Sequence, residues 1–309
     1  MNEKFNPYSS LKTPVLFLIF KRIDTTKQVF EQIRKAKPPK LYIAADGPRK
    51  NVEGELEKCK AVREYVLNNI DWDCKVKTLF REKNLGCGKA VSEAITWFFE
   101  QEEKGIILED DILPSLSFFW FCEELLEKYK NDIRIWHIGG CNFQNGIIRG
   151  EGDYYFSAIN HVWGWASWAD RWRHYDFELK NINDDRFIEN YWKGSTLKYW
   201  KKIFWKMKNK EVDTWDYQWT FSMWFNNGLA ILPNVNMITN IGFSSEGTHT
   251  TTEDSKFANM KRHNLILRKN PIKIERNIEG DEYTYKHYFS PSPLMLRIYR
   301  KIKRIIYDL

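Results

Sequence analysis

The feature that most constrains this chain is an alternation in its first 140 residues. Apolar runs of strand length are followed, repeatedly, by longer segments of helical period. PVLFLIF (14–20), LYIAA (41–45), GIIL (105–108) and IRIWHIGG (133–140) are strand-like runs, and CKVKTLF (74–80) reads as a half-exposed strand. Between them lie helical segments from Asp24 to about Ala36, from Glu53 to Leu67, KAVSEAITWFFEQ, and PSLSFFWFCEELLEKY, the last with Pro114 at a first-turn position. Continuous apolar strands joined by helical crossovers bury both faces of a sheet, so the pattern predicts an α/β fold with a mainly parallel sheet flanked by helices.

After residue 145 the texture changes to short aromatic-rich pieces: YYFSAINHVWGWASWADRW, a Lys- and Trp-rich helical region over 184–208, and EVDTWDYQWTFSMWFNNG. LAILP and NVNMIT read as strands, and NIGFSSEGTHTTTED reads as a loop. The organisation expected is therefore a nucleotide-binding α/β half over 1–145, an acceptor-binding half over 146–290, and a basic amphipathic helix over 291–309. That last segment sets apolar Leu294, Ile298, Ile302 and Ile305 at helical spacing among Arg297, Arg300, Lys301, Lys303 and Arg304. It suits either an anionic membrane surface or a helix docked on its own domain.

The five cysteines are scattered without a C-x-x-C pair, which leaves no zinc ribbon or thioredoxin-type motif and favours a reducing compartment. No apolar run is long enough to span a bilayer and the N-terminus lacks a signal-peptide pattern, so the expectation is a cytoplasmic protein, peripheral at the inner face of the plasma membrane if its tail binds lipid. The net charge of +7 gathers at the tail with no nucleic-acid motif, and nucleic acid is not expected as a partner.

GIILEDDILPS runs a buried strand straight into Glu109, Asp110 and Asp111. In open α/β sheets ligands bind beyond the carboxyl ends of the strands, where these three would stand. Adjacent carboxylates beside a low-dielectric core repel one another and lose hydration, which a hard divalent cation such as Mn²⁺ or Mg²⁺ relieves. The plainer reading is an acidic start to the next helix, set against its dipole.

These residues resemble the Glu-Asp-Asp version of the D-x-D motif in GT-A glycosyltransferases, specifically the N-acetylglucosaminyltransferase I family and bacterial nucleotide-diphospho-sugar transferases. The resemblance spans roughly residues 13–250. It implies a GT-A fold and a metal-dependent, inverting transfer of a sugar, with N-acetylglucosamine as the plausible one, from a UDP-sugar donor. The acceptor would be a hydroxyl of a saccharide or lipid-linked saccharide in bacterial surface polysaccharide or glycoconjugate synthesis. By position, PVLFLIFKRIDTTKQVF places Arg22 near the nucleotide, and ADGPR places Asp46 where the family reads uracil. Asp111 becomes the metal ligand, Asp110 lies near ribose or metal, and Glu109 faces the donor sugar. VWGWASW resembles the family's Gly-Trp segment, which puts Trp165 at the donor sugar. EVDTWDYQW resembles its Trp-Asp-Asp-Trp segment, so Asp216 is the implied catalytic base. Tyr217 and Gln218 depart from that pattern and leave Asp213 as the alternative. Ser245 and His249 fall in the loop that the family orders over nucleotide.

Other features carry plainer readings. Asp71 and Asp73 of DWD lie at a strand's amino end and read as a solvated turn; GCGK (86–89) lacks P-loop spacing and reads as a helix entry. His137 reads as a satisfied core histidine, His161 and His174 as surface or aromatic-packing residues, and Trp97, Trp120 and Trp136 as core. The rival enzyme on such a fold is a sugar-phosphate nucleotidyltransferase, but FKRIDTT after the first strand has none of the glycines that class uses. The rival from another class is a non-catalytic carbohydrate- or membrane-binding protein.

Overall fold

The structure is a computed structural model that describes residues 5–243, 257 and 260–290. Ser245, His249 and the tail over 291–309 lie outside the described residues. The alternation gives β1 (Val15–Ile19), α1 (Ile23–Ala36), β2 (Lys40–Ala45), α2 (Glu55–Asn68), β3 (Lys75–Phe80), α3 (Cys87–Phe99) and β4 (Lys104–Glu109). Then follow β5 (Ile112–Pro114), α4 (Ser117–Lys128), β6 (Ile135–Gly139), β7 (Tyr154–Ser157) and β8 (Trp165–Trp168). The chain continues through α5 (Ala169–Trp172), a 3₁₀ turn at Asp185–Asn190, α6 (Gly194–Lys208), α7 (Asp216–Phe225), β9 (Leu229–Pro233), β10 (Ile238–Asn240) and α8 (Ile278–Thr284).

One eight-stranded sheet runs in the order β3-β2-β1-β4-β8-β6-β9-β7. The four strands of the first half pair in parallel, β8 is antiparallel to both β4 and β6, and β6 pairs in parallel with β9. Strands from both sides of residue 145 thus share one hydrogen-bonded sheet. β1, β4 and β8 are buried on both faces, which is why their sequences read as apolar runs rather than as alternation.

Pro114 departs from the sequence reading. It does not open the following helix; it ends β5, which pairs antiparallel with β10, and α4 begins at Ser117. A proline is tolerated in this short edge ladder, where its missing N–H costs little. This second sheet holds Ile112 against Asn240 and brings the chain after β10 back over the carboxylates.

The aromatic wealth of the second half is largely core. Trp165, Trp200, Trp219 and Trp224 are fully buried, and they pack in one cluster with Trp172, Trp192 and Trp215. Trp120 and Trp136 are buried as expected, and Trp97 is partly buried with its ring edge-on to Tyr42. His137 is a satisfied core histidine: its Nε2 bonds the carbonyl of His161 at 3.1 Å and its Nδ1 accepts from Trp219 Nε1 at 3.3 Å. His174 packs against the Trp136 ring. Asp71 sits at the surface in an ion pair with Arg34.

Candidate functional site

Because β1, β2 and β4 are parallel, their carboxyl ends open on the same edge. A crevice of about 490 Å³ lies there. The residues that follow each strand line it: Phe20, Lys21 and Arg22 after β1, Asp46 after β2, and Glu109 with Asp110 and Asp111 at the end of β4. Val162, Trp163 and the segment Asp213–Asp216 that leads into α7 line it as well.

Arg22 organises the acidic corner. Its Nη1 lies 2.9 Å from Asp111 Oδ2, and its Nη2 bonds Asp110 Oδ1, whose other oxygen accepts the Phe20 N–H at 3.2 Å. Asp110 and Asp111 are buried. Burial pushes the Asp110 carboxyl up despite the opposing Arg22, and burial together with Asp111 and Asp110 pushes Glu109 up further. Burial alone would lower the Arg22 pKa, but Asp110 and Asp111 more than offset it. Gly242 closes over this corner: an added Cβ would stand 2.0 Å from Asp111 Oδ2, so only a glycine lets the chain pass so close.

One guanidinium faces three carboxylates, so the corner remains electron-rich in hard oxygen donors. Among the described residues, no group of three or more His, Cys, Asp or Glu side chains is arranged as a closed metal cage. Mn²⁺ and Mg²⁺ do not require one, since they are held through one or two carboxylates, waters and substrate phosphates. Asp111, at the crevice edge, fits that partial donor set.

Asp46 accepts from its neighbour Gly47 N–H at 2.9 Å and from Leu85 N–H at 3.0 Å, while burial raises its pKa against those bonds. Three crevice cations escaped the sequence reading: Lys21, Arg49 and Arg81. Buried Glu55 holds two of them, with Lys21 Nζ at 3.0 Å and Arg49 Nη2 at 2.5 Å. The Arg49 bonds, outweighing burial, hold the Glu55 carboxyl down at about 2. Glu55 is a helix residue in sequence, and nothing in its spacing signals that task.

The two candidate bases are placed differently. Asp213 is anchored: its Oδ2 accepts the Cys87 N–H at 2.8 Å and its Oδ1 the Gly88 N–H at 2.9 Å. It therefore caps α3 from 125 residues away, over Gly86, where φ is 83° and an added Cβ would stand 2.6 Å from Asp213 Oδ2. Asp216 is the first residue of α7 and lines the crevice, with Oδ1 accepting from Thr214 Oγ1. Trp165 is not on the crevice wall. It is fully buried in β8, stacked on His137 at 5.0 Å and on Trp215 at 5.7 Å. Trp163 takes the wall position, two residues earlier in the same Gly-Trp segment. The structure thus brings Arg22, Asp46, Glu109, Asp110, Asp111 and Asp216 to one crevice and withdraws Trp165 from it.

No family model and no curated protein matches the chain. Solved structures similar to it include a mannosyltransferase from Pyrobaculum calidifontis in complex with GDP-Man and Mn²⁺, at 12% identity over 52% of this chain and 46% of that one, TM-score 0.36. Others are the inositol-1-phosphate CTP transferase from T. maritima, at 11% identity over 73% and 86% with TM-score 0.39, and the glycosyltransferase GlyE of Streptococcus pneumoniae, at 12% over 69% and 43% with TM-score 0.34. The chain thus spans less than half the length of either glycosyltransferase. Likenesses this distant assign no activity; the mixed α/β architecture rests on the chain's own topology.

Proposed function

We propose that this protein is a GT-A-type glycosyltransferase that transfers a sugar from a nucleoside diphosphate donor, with UDP-N-acetylglucosamine the first donor to try, to a saccharide hydroxyl. The observation that carries the reading is the convergence on one crevice of the acidic corner at the end of β4 and Asp216 at the start of α7. Lys21, Arg49 and Arg81 supply positive charge for a diphosphate, and Asp46 stands at the end of β2 for the base. A divalent cation held by Asp111, with Asp110 beside it, would neutralise the departing diphosphate.

Asp216 takes the proton of the acceptor hydroxyl as its oxygen attacks the anomeric carbon. The new glycosidic C–O bond forms, the bond to the diphosphate oxygen breaks, and the nucleoside diphosphate leaves with that electron pair. Attack opposite the leaving group inverts the anomeric centre. General-base assistance of this kind is worth about 10² to 10⁴ in rate. Asp216 is preferred over Asp213 because the latter's two oxygens are occupied by backbone N–H groups of α3. A product in surface polysaccharide, and a lipid-linked acceptor at the inner membrane face, belong to the same reading; no helix of the described residues is long and apolar enough to cross a membrane.

The test is calorimetric titration with UDP, with and without Mn²⁺, on the wild type and on Asp111→Asn. Binding that needs both the metal and Asp111 is the expected outcome. Metal-independent binding unaffected by Asp111→Asn would remove the carboxylates from the donor site. Release of UTP from UDP-sugar and pyrophosphate, without transfer to any hydroxyl, would turn the assignment to a nucleotidyltransferase.

A further inference from the structure

Beside the crevice lies a second pocket of about 170 Å³ that no part of the donor reading uses. Val162, Trp163 and Asp216 line both spaces, so the carboxylate of the proposed base stands at their boundary. Much of the rest of the second pocket is aromatic, with Phe143, Trp200, Tyr217, Phe257 and Phe289 lining it. Its floor is polar. Asn160 and His161, each less than 9% exposed, line it, yet Asn160 Nδ2 and His161 Nε2 have no hydrogen-bond partner among the described residues.

Both side chains are otherwise fixed. Asn160 Oδ1 accepts from Thr220 Oγ1 at 2.7 Å, on the same helix as Asp216. The His161 ring lies edge-on to Phe143 at 4.3 Å and parallel to Phe289 at 6.4 Å. Buried polar atoms without partners are rare in folded proteins, and a rigid pair of them beside a cavity is a place where water or a ligand completes the bonding.

We propose that this pocket is the acceptor subsite and that it takes one neutral saccharide ring, presenting a hydroxyl to Asp216. The inference rests on the transferase reading above and narrows it. The volume holds roughly five or six waters at about 30 Å³ each, which is room for a single ring rather than a long chain. Aromatic walls suit the C–H faces of a sugar. Asn160 and His161 supply groups that bond its hydroxyls, which an aliphatic lipid chain would leave unsatisfied. None of the described lining residues is Lys or Arg, and the Asp216 carboxylate borders the space, so a phosphate-bearing acceptor group does not belong inside it.

The test uses the full-length wild type with Mn²⁺ and UDP, and diazirine-bearing methyl glycosides of glucose, galactose and N-acetylglucosamine as probes. Irradiation followed by peptide mapping is expected to place the label on the segments containing Phe143, residues 160–163, Tyr217–Thr220 or Phe289. In parallel, Asn160→Leu and His161→Phe are each expected to weaken glycoside binding at least tenfold. If UDP binds with metal but the label falls elsewhere, or no glycoside labels the protein, the subsite is wrong and the donor reading stands. If the pocket is labelled but UDP never binds, no donor site lies beside it, and both the acceptor role and the transferase reading fall. If labelling is correct but neither variant weakens binding, Asn160 and His161 are not the recognition groups and the inference is overturned as stated.

Discussion

Asp213 and Asp216 lie three residues apart and the structure gives them different surroundings, so one pair of substitutions separates a cap from the proposed base. Asp213 receives two backbone N–H groups at the start of α3, where Gly86 offers no side chain to cap the helix. Losing a helix cap costs about 0.5–2 kcal/mol, and hydrogen bonds to a charged acceptor run at about 1.5–3 kcal/mol each. Asp213 is exposed, so water replaces part of what is lost, and the lower end applies. Asp213→Ala is therefore expected to destabilise the protein by about 1–2 kcal/mol, and Asp213→Asn, which keeps one acceptor oxygen, by about half of that. The assay is urea unfolding for stability beside initial rates of sugar transfer at saturating donor. Asp216→Asn is expected to behave in the opposite way, with stability within about 0.5 kcal/mol of wild type and turnover down about 10²- to 10⁴-fold. A Asp213→Asn variant of wild-type stability that has lost transfer by that factor would refute the reasoning, because a cap cannot produce that pattern and a base can.

Three further expectations follow from packing and charge. Arg276→Met removes the partner of Asp281, which is 1% exposed and also accepts from Ser157 Oγ and Ala158 N–H. The stranded carboxylate should cost about 3–5 kcal/mol in urea unfolding, and a loss below about 1 kcal/mol would mean that Asp281 is not held charged by Arg276. Burial lowers His137 and His161 to about 3. The unfolded state, with its histidines near 6.5, then binds more protons between those values, so stability is complete above about pH 6.5 and is lost as pH falls, by about 1.4 kcal/mol per histidine from pH 7.5 to 5.5. Replacing His137 by Gln should halve that histidine contribution in urea midpoints measured across the range; an unchanged slope would count against it. Gly242→Ala forces Asp111 and Arg22 apart and should weaken Mn²⁺-dependent UDP binding at least tenfold by calorimetry, whereas unaltered affinity would detach this corner from the nucleotide.

Most of the first half was readable because each element carries its own period. β1, β2 and β4, buried on both faces, gave apolar runs, the half-exposed β3 gave a mixed one, and the helices gave amphipathic ones, so β1 to β4 fall within a residue or two of expectation. Pro114 was misplaced because a local rule for helix starts competed with a tertiary partner, β10, more than 100 residues away. Trp165 was misassigned for a related reason. VWGWASW is aromatic on both faces, and Gly164, with φ at 66°, turns the chain between Trp163 at the crevice and Trp165 in the core. The Asp213 cap and the Glu55 clamp on Lys21 and Arg49 depend on contacts between distant segments, and no spacing within either segment encodes them.

The antiparallel strand β8 lies between β4 and β6, and that placement bears on how the chain is made as well as on how it works. When β4 leaves the ribosome its outer edge, from Lys104 to Ile107, has no partner until residues 165–168 arrive about 56 residues later. At about 5–20 residues per second that interval lasts several seconds, during which an apolar strand edge stands open to neighbouring nascent chains. A truncation before Trp165 leaves that edge of β4 permanently uncovered and should accumulate as aggregate rather than as a soluble first half.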